Sequence, residues 1–241
     1  MTDEEARAHL ALNGRLRVGI NMANRLLVSG RDAGGDPAGV SPDVGRAIAQ
    51  RLGVLVSFVE YPSPGALADG AQENAWDIGN IGADPDRATT ICFTAPYAEI
   101  EATALVRDRS PLTQAHEIDQ AGLTLAAKDR SAYGLWLKRN IRVATLVLVD
   151  PDQDPLDVFQ ARQLDVLTGL RSALLRDCQK VAGSRVLDGT FMTVSQAVGT
   201  PLARAAALPW LEAVVADLKA TGAVARFIAR HGVEGLSVPS S

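Results

Sequence analysis

Residues 16–61 decide the fold class before any other part of the chain is considered. Leu16-Arg17-Val18-Gly19-Ile20 alternates apolar positions as a half-buried strand does. The stretch from Ser29 to Gly39 is a loop rich in Gly and Asp, and its part Gly30–Gly39 reads as a flexible surface hairpin. It has neither a G-x-G-x-x-G pattern nor a Walker lysine, so it is not a phosphate loop. Ser41-Pro42-Asp43 then carries helix-start signals: a serine cap, proline at the first helical position and an acid in the first turn. Val44, Ala47, Ile48 and Leu52 recur at helical spacing, and Gly53 closes the helix. Val54–Tyr61 is the next strand. Strand, helix and strand in this order need a crossover, which predicts a parallel sheet and an α/β fold.

The pattern continues. Residues 3–12 read as a short charged helix or a frayed arm. Pro64–Asn74 predicts a helix, Trp76–Ile81 a short strand, and Glu101–Arg107 another strand. A second series starts near Ile118, with strand Leu123–Ala127, a helix from about Ser131 to Arg139 and strand Ala144–Val149. Helix Asp154–Gln160, strand Leu164–Thr168 and helix Leu170–Val181 follow. Val186–Val198 is mostly extended, and Leu202–His231 reads as two helices, with Leu211, Val214, Val215 and Leu218 forming an apolar stripe. At about 150 residues per domain, 241 residues predict one to two domains.

Composition removes several function classes. With 24 basic and 28 acidic residues the net charge is −4, and no basic stripe is present, so nucleic-acid binding is not expected. Aromatic residues, at 5%, leave little for base stacking. No run approaches 18 consecutive apolar residues, so no membrane insertion is expected. The opening MTDEEARAHL is acidic and carries no export-signal pattern. Cys92 and Cys178 make no zinc pattern or CxxC and read as two buried thiols, with one disulfide left open. His9, His116 and His231 are far apart in sequence, so a histidine metal site or a Ser-His-Asp triad has little to work with. No cofactor and no metal are expected.

Four passages resemble the type II periplasmic-binding-protein fold, and within it the polar amino-acid class, family 3, of ABC-transporter solute-binding proteins. They are Leu16–Ile20; Gly39-Val40-Ser41-Pro42-Asp43-Val44 on to Arg51-Leu52-Gly53; Trp76-Asp77-Ile78 through Asp84-Pro85-Asp86-Arg87 to Phe93-Thr94-Ala95-Pro96-Tyr97; and Leu218-Lys219-Ala220-Thr221-Gly222. The resemblance covers about residues 15–232. It implies two α/β lobes, residues 1–105 plus 190–241 and residues 106–189. Two hinge strands near Ala102–Arg107 and Asp188–Val194 would let them close on a small ligand.

The resemblance also places ligand-binding residues. Arg87 would grip a ligand carboxylate, for which a guanidinium offers two parallel donors; otherwise it is a surface arginine paired with Asp84 or Asp86. Ser131, at a strand-to-helix turn, resembles the family's anion loop, or is an ordinary helix cap. The family has glycine where Arg130 stands. Gly82 and Ala83 would offer backbone N–H groups. Asn21 and Asn24 replace the family's aromatic residues and would either touch a polar ligand or close a turn. The family's amino-acid binders carry an aspartate after the strand Leu164–Thr168, to receive a ligand ammonium. Here Gly169, Leu170 and Arg171 stand instead, which makes Arg171 a candidate second anion site and Glu101 a candidate substitute for the ammonium partner. Tyr133, Phe191, Met192 and Gln196 are lesser candidates.

The expected function is a non-catalytic receptor for a small carboxylate-bearing metabolite, an amino acid or another organic anion, with an ABC-transporter membrane component as its partner. The alternative is an enzyme on the same scaffold, such as a cyclohexadienyl-dehydratase-like lyase using Glu101 or Asp84 as its acid. Family habit points to the periplasm and the N-terminus to the cytoplasm.

Overall fold

A computed structural model describes residues 1–11 and 13–240. The helix expectation over 3–12 and the first-lobe expectation therefore each reach one residue, 12 and 241, outside the described residues. The fold is mixed α/β and divides into two compact units: Met1–Glu99 with Ser195–Ser241, and Ile100–Val194.

In unit 1, β1 (Arg15–Asn21) lies between two parallel neighbours, β4 (Leu55–Tyr61) and β5 (Ile78–Gly82). β12 (Met192–Pro201) runs antiparallel to β5, and β6 (Ile91–Phe93) antiparallel to β12. The alternation read in Leu16–Ile20 is physical. A Cβ on Gly45 of helix α2 (Val40–Leu52) would meet Val18, while a Cβ on the next strand residue, Gly19, would meet Trp76. Adjacent strand residues face opposite sides, so α2 covers one face and Trp76 with helix α3 (Pro64–Gln72) the other. Trp76 is fully buried and its indole N–H donates to the Leu67 carbonyl at 2.9 Å.

The N-terminal segment is a helix, α1 (Asp3–Leu10), and not a frayed arm. Thr2 and Glu5 form a capping box, which accounts for the Glu5 carboxyl being held below its ordinary value. Arg7 donates twice to the Leu52 carbonyl, at 2.9 and 2.7 Å, satisfying the end of α2. The hairpin expected over Gly30–Gly39 is present as β2 (Gly30–Arg31) and β3 (Pro37–Ala38). The start of α2 differs from the expectation: Gly39, not Ser41, is the cap residue, and Gly39 adopts φ 146°. A side chain there would put its Cβ 2.3 Å from the Leu27 carbonyl oxygen, so the hairpin approaches the helix too closely for anything but glycine. Gly53 ends α2 in the left-handed conformation, as expected. The C-terminal part is a 3₁₀ segment Leu202–Ala207 and helices α7 (Leu208–Ala220) and α8 (Ala223–Arg230), which pack on α2.

Unit 2 has β7 (Ala98–Arg107), crossed from unit 1, antiparallel to β10 (Val166–Leu170) and to β11 (Ser184–Val186). β8 (Thr124–Lys128) is parallel to β10, and β9 (Thr145–Val149) to β8. Successive residues feed two separate cores. Ala104, Val106, Leu125, Ala127 and Val166 pack with Leu137 of α4 (Ala132–Asn140). Leu105, Ala126 and Leu167 pack with Phe159 of α5 (Pro155–Ala161) and Leu174 of α6 (Arg171–Cys178). Among the described residues no helix is long and apolar enough to cross a membrane. Cys92 and Cys178 are free thiols and half-buried, not the buried pair expected.

Candidate functional site

In unit 1, β5 is buried along its whole length and ends at Gly82. Two acids and a proline then turn the chain: the Asp84 side chain accepts from the Asp86 N–H at 2.9 Å, and the Asp84 carbonyl from the Ala88 N–H at 3.0 Å. This turn delivers Arg87 as the first residue of the 3₁₀ segment Arg87–Thr89. Arg87 is only 5% exposed, and its guanidinium donates to the Gly82 carbonyl at 2.7 Å. Two singled-out residues, Arg87 and Gly82, are thus in direct contact. The neighbouring Ala83 N–H is engaged by the Ser195 carbonyl at 2.8 Å. Asn21 and Asn24 each close a turn, their side-chain oxygens accepting from the Ala23 N–H at 3.1 Å and the Leu26 N–H at 3.2 Å.

In unit 2, Ser131 caps α4, accepting from the Gly134 N–H at 2.9 Å and donating to the Lys128 carbonyl at 2.8 Å. A Cβ on Gly134 would lie 2.3 Å from that same carbonyl oxygen, so a glycine is needed for the helix to begin this close to the strand end. Arg130 sits at φ 56°, a left-handed conformation that a glycine, the residue the resemblance puts there, adopts without strain. Tyr133, in the first turn of α4, packs against the core, and burial pushes its phenol up to about 12. Arg171 and Glu101 are each other's partner: the Arg171 Nε donates to the Glu101 carboxylate, and further guanidinium N–H groups reach the Gly189 and Leu187 carbonyls. The candidate anion site and the candidate ammonium partner therefore form one ion pair. Phe191 packs against Trp136, ring centroids 5.6 Å apart, and Gln196 in unit 1 is buried.

One constellation contradicts the expectation from histidine spacing. Ser29 Oγ lies 3.2 Å from His231 Nδ1, and His231 Nε2 lies 2.9 Å from Asp43 Oδ2, although serine and histidine are 202 positions apart. The α8 packing on α2 closes that separation, and no local sequence signal could have shown it. Among the described residues, no three His, Cys, Asp or Glu side chains are placed to hold a metal ion.

Residues 16–234 match the family model for bacterial extracellular solute-binding proteins, family 3. Among solved structures, the chain is similar to a solute receptor for L-cysteine of Neisseria gonorrhoeae. The TM-score is 0.75 at 18% identity, covering 95% of this chain and 94% of that one. It is similar too to an amino-acid ABC transporter substrate-binding protein from Streptococcus pneumoniae bound to L-arginine (TM-score 0.72, 18% identity, 94% of this chain, 99% of that one). A third is an ancestral amino-acid-binding protein described as a precursor of cyclohexadienyl dehydratase (TM-score 0.69, 20% identity, 95% and 99%). No curated protein sequence matches significantly.

Proposed function

The chain belongs to family 3 of the bacterial extracellular solute-binding proteins, and we propose that it is a non-catalytic receptor for a small carboxylate-bearing metabolite. Arg87 carries this reading. A guanidinium that is 5% exposed is worth its desolvation only where good partners meet it. The bond from its guanidinium to the Gly82 carbonyl holds one edge of the group, which supports a role as a carboxylate clamp. The family resemblance assigns the same role to the same residue. Relatives whose structures contain L-arginine or lysine support an amino acid or a related organic anion as the ligand class. The sequence Gly169-Leu170-Arg171, in place of an aspartate, favours an anion without an ammonium group, provided Arg171 is drawn from Glu101 on binding.

Delivery of the ligand to an ABC-transporter membrane component is the proposed use. The second reading, an enzyme of the dehydratase type, is favoured only by the resemblance to the ancestral precursor. Calorimetric titration with amino acids, dicarboxylates and keto acids, against wild type and Arg87→Lys, tests the receptor reading. Binding without consumption of the ligand, lost or weakened at least tenfold in Arg87→Lys, is expected. Steady loss of the ligand over time would favour the enzyme.

A further inference from the structure

Ser29, His231 and Asp43 form a hydrogen-bonded line within unit 1 that the receptor reading does not use. Three elements build it. Ser29 precedes β2 and is anchored by its N–H donating to the Ala38 carbonyl at 2.8 Å. His231 follows α8, its N–H on the Phe227 carbonyl at 3.2 Å. Asp43 lies in the first turn of α2, where its own N–H donates to the Gly39 carbonyl at 3.0 Å.

Exposure falls along the line. Ser29 is exposed, the His231 side chain is 16% exposed, and that of Asp43 is 11% exposed. A reachable hydroxyl, a mostly covered imidazole and an inner carboxylate are the order that nucleophile, base and orienting acid require. The partners also fix the tautomer. A carboxylate only accepts, so His231 Nε2 carries the hydrogen and donates it to Asp43. Nδ1 is then the acceptor in the neutral ring and receives the Ser29 O–H. The roles of the two ring nitrogens are reversed relative to the familiar serine hydrolases, but the direction of proton flow is the same. Ser29 Oγ has a second acceptor in the Ala38 carbonyl at 3.3 Å. Arg46 and Arg230 also face Asp43, each at 3.3 Å. They compete with the imidazole for its charge, which places the activation at the low end of what a positioned base supplies.

We propose that Ser29 is a nucleophilic serine, deprotonated by His231, and a covalent modification site for activated acyl donors such as aryl esters. In the step, the Ser29 Oγ–carbon bond forms at the ester carbonyl while the hydroxyl proton passes to His231 Nδ1. The bond to the leaving aryl oxide then breaks. The aryl oxide leaves with the electron pair and receives the proton from His231, so the products are acyl-Ser29 and a phenol. Neither oxidant nor further reactant is needed.

The test is acetylation of the full chain by 4-nitrophenyl acetate, followed by peptide mass spectrometry. Ser240, exposed near the C-terminus, is the internal reference serine. Ser29 is expected to be acetylated about 100-fold faster than Ser240, the lower end for general-base assistance. In His231→Gln, which keeps a polar group without taking a proton, Ser29 should fall to within a few-fold of Ser240. Equal rates at the two serines in wild type, or an unchanged Ser29 rate in His231→Gln, overturn the proposal. If His231→Gln does not fold, the wild-type ratio decides alone.

Discussion

Asp77 is a charged residue whose loss should cost unit 1 heavily. It precedes β5 and its side chain is 5% exposed. Its oxygens accept the Arg17 N–H at 2.8 Å and face the Arg17 guanidinium at 2.8 Å and that of Arg204 at 3.1 Å. The two arginines are unequal, since the Arg17 side chain is 36% exposed and that of Arg204 is 9% exposed. Asp77→Ala leaves Arg204 charged and buried, with the His9 carbonyl and the Asn74 side-chain oxygen as its remaining acceptors. Removing one partner of a buried pair costs about 3–5 kcal/mol. At about 2–4 °C per kcal/mol for a chain of this size, Tm should fall by about 6–20 °C. Arg17→Ala removes a half-exposed partner and should cost about 1 kcal/mol or less. Combining Asp77→Ala with Arg204→Met should recover part of the loss, because the uncompensated charge is gone. Differential scanning calorimetry of the variants reads all of this. A fall in Asp77→Ala no larger than that in Arg17→Ala would show that Arg204 does not depend on Asp77 for its compensation.

Other outcomes follow from the same geometry. Gly39→Ala should destabilise by about 3 kcal/mol or more, since its Cβ would sit 2.3 Å from the Leu27 carbonyl oxygen; urea unfolding measures it. Arg130→Gly should stabilise by roughly 0.5–1 kcal/mol in the same assay, because relief of the left-handed conformation outweighs the entropy of glycine. All three tyrosines, Tyr61, Tyr97 and Tyr133, have phenols raised by burial, Tyr133 to about 12. A raised phenol holds its proton in the folded state. The stability this gives is complete below the unfolded value of about 10 and is lost as pH rises through the folded value. Ultraviolet titration should therefore find less than half of the tyrosine ionised at pH 10 in the folded chain. In urea all three should titrate near the ordinary value, and a folded chain titrating near pH 10 would contradict the burial. Asp119 accepts the N–H groups of Arg142, Val143 and Ala144, which holds its carboxyl below the ordinary range. A lowered carboxyl supports the fold above the unfolded value of about 3.9 and ceases to as pH falls through its folded value. Asp119→Ala should speed hydrogen exchange at those three amides at neutral pH.

Local patterns carried most of the fold. The β-α-β order, the apolar spacing of α2, the glycine that ends it and the serine cap of α4 all depend on neighbours in sequence, so their signals survive without the structure. The start of α2 was misplaced at Ser41 because the decisive contact is the approach of Gly39 to Leu27, twelve positions apart along a hairpin. β11 and the 3₁₀ turns are too short to have a period of their own. At the site, Arg87 stood in a motif with distinctive spacing, whereas its burial and its bond to Gly82 belong to the folded turn. The pairing of Arg171 with Glu101, 70 positions apart, was hidden for the reason that hid Ser29 and His231. Histidine spacing along the chain says nothing about distance once helices fold back.

We propose above all that Arg87 grips a ligand carboxylate. The most direct measurement is the heat of binding for a panel of amino acids, dicarboxylates and keto acids, with each acid paired with its uncharged amide or ester. The carboxylate form of at least one compound should bind, its neutral counterpart should not, and Arg87→Lys should weaken the binding at least tenfold, a loss of about 1.4 kcal/mol. Binding that is equal for the acid and its neutral counterpart, or unchanged in Arg87→Lys, would contradict it.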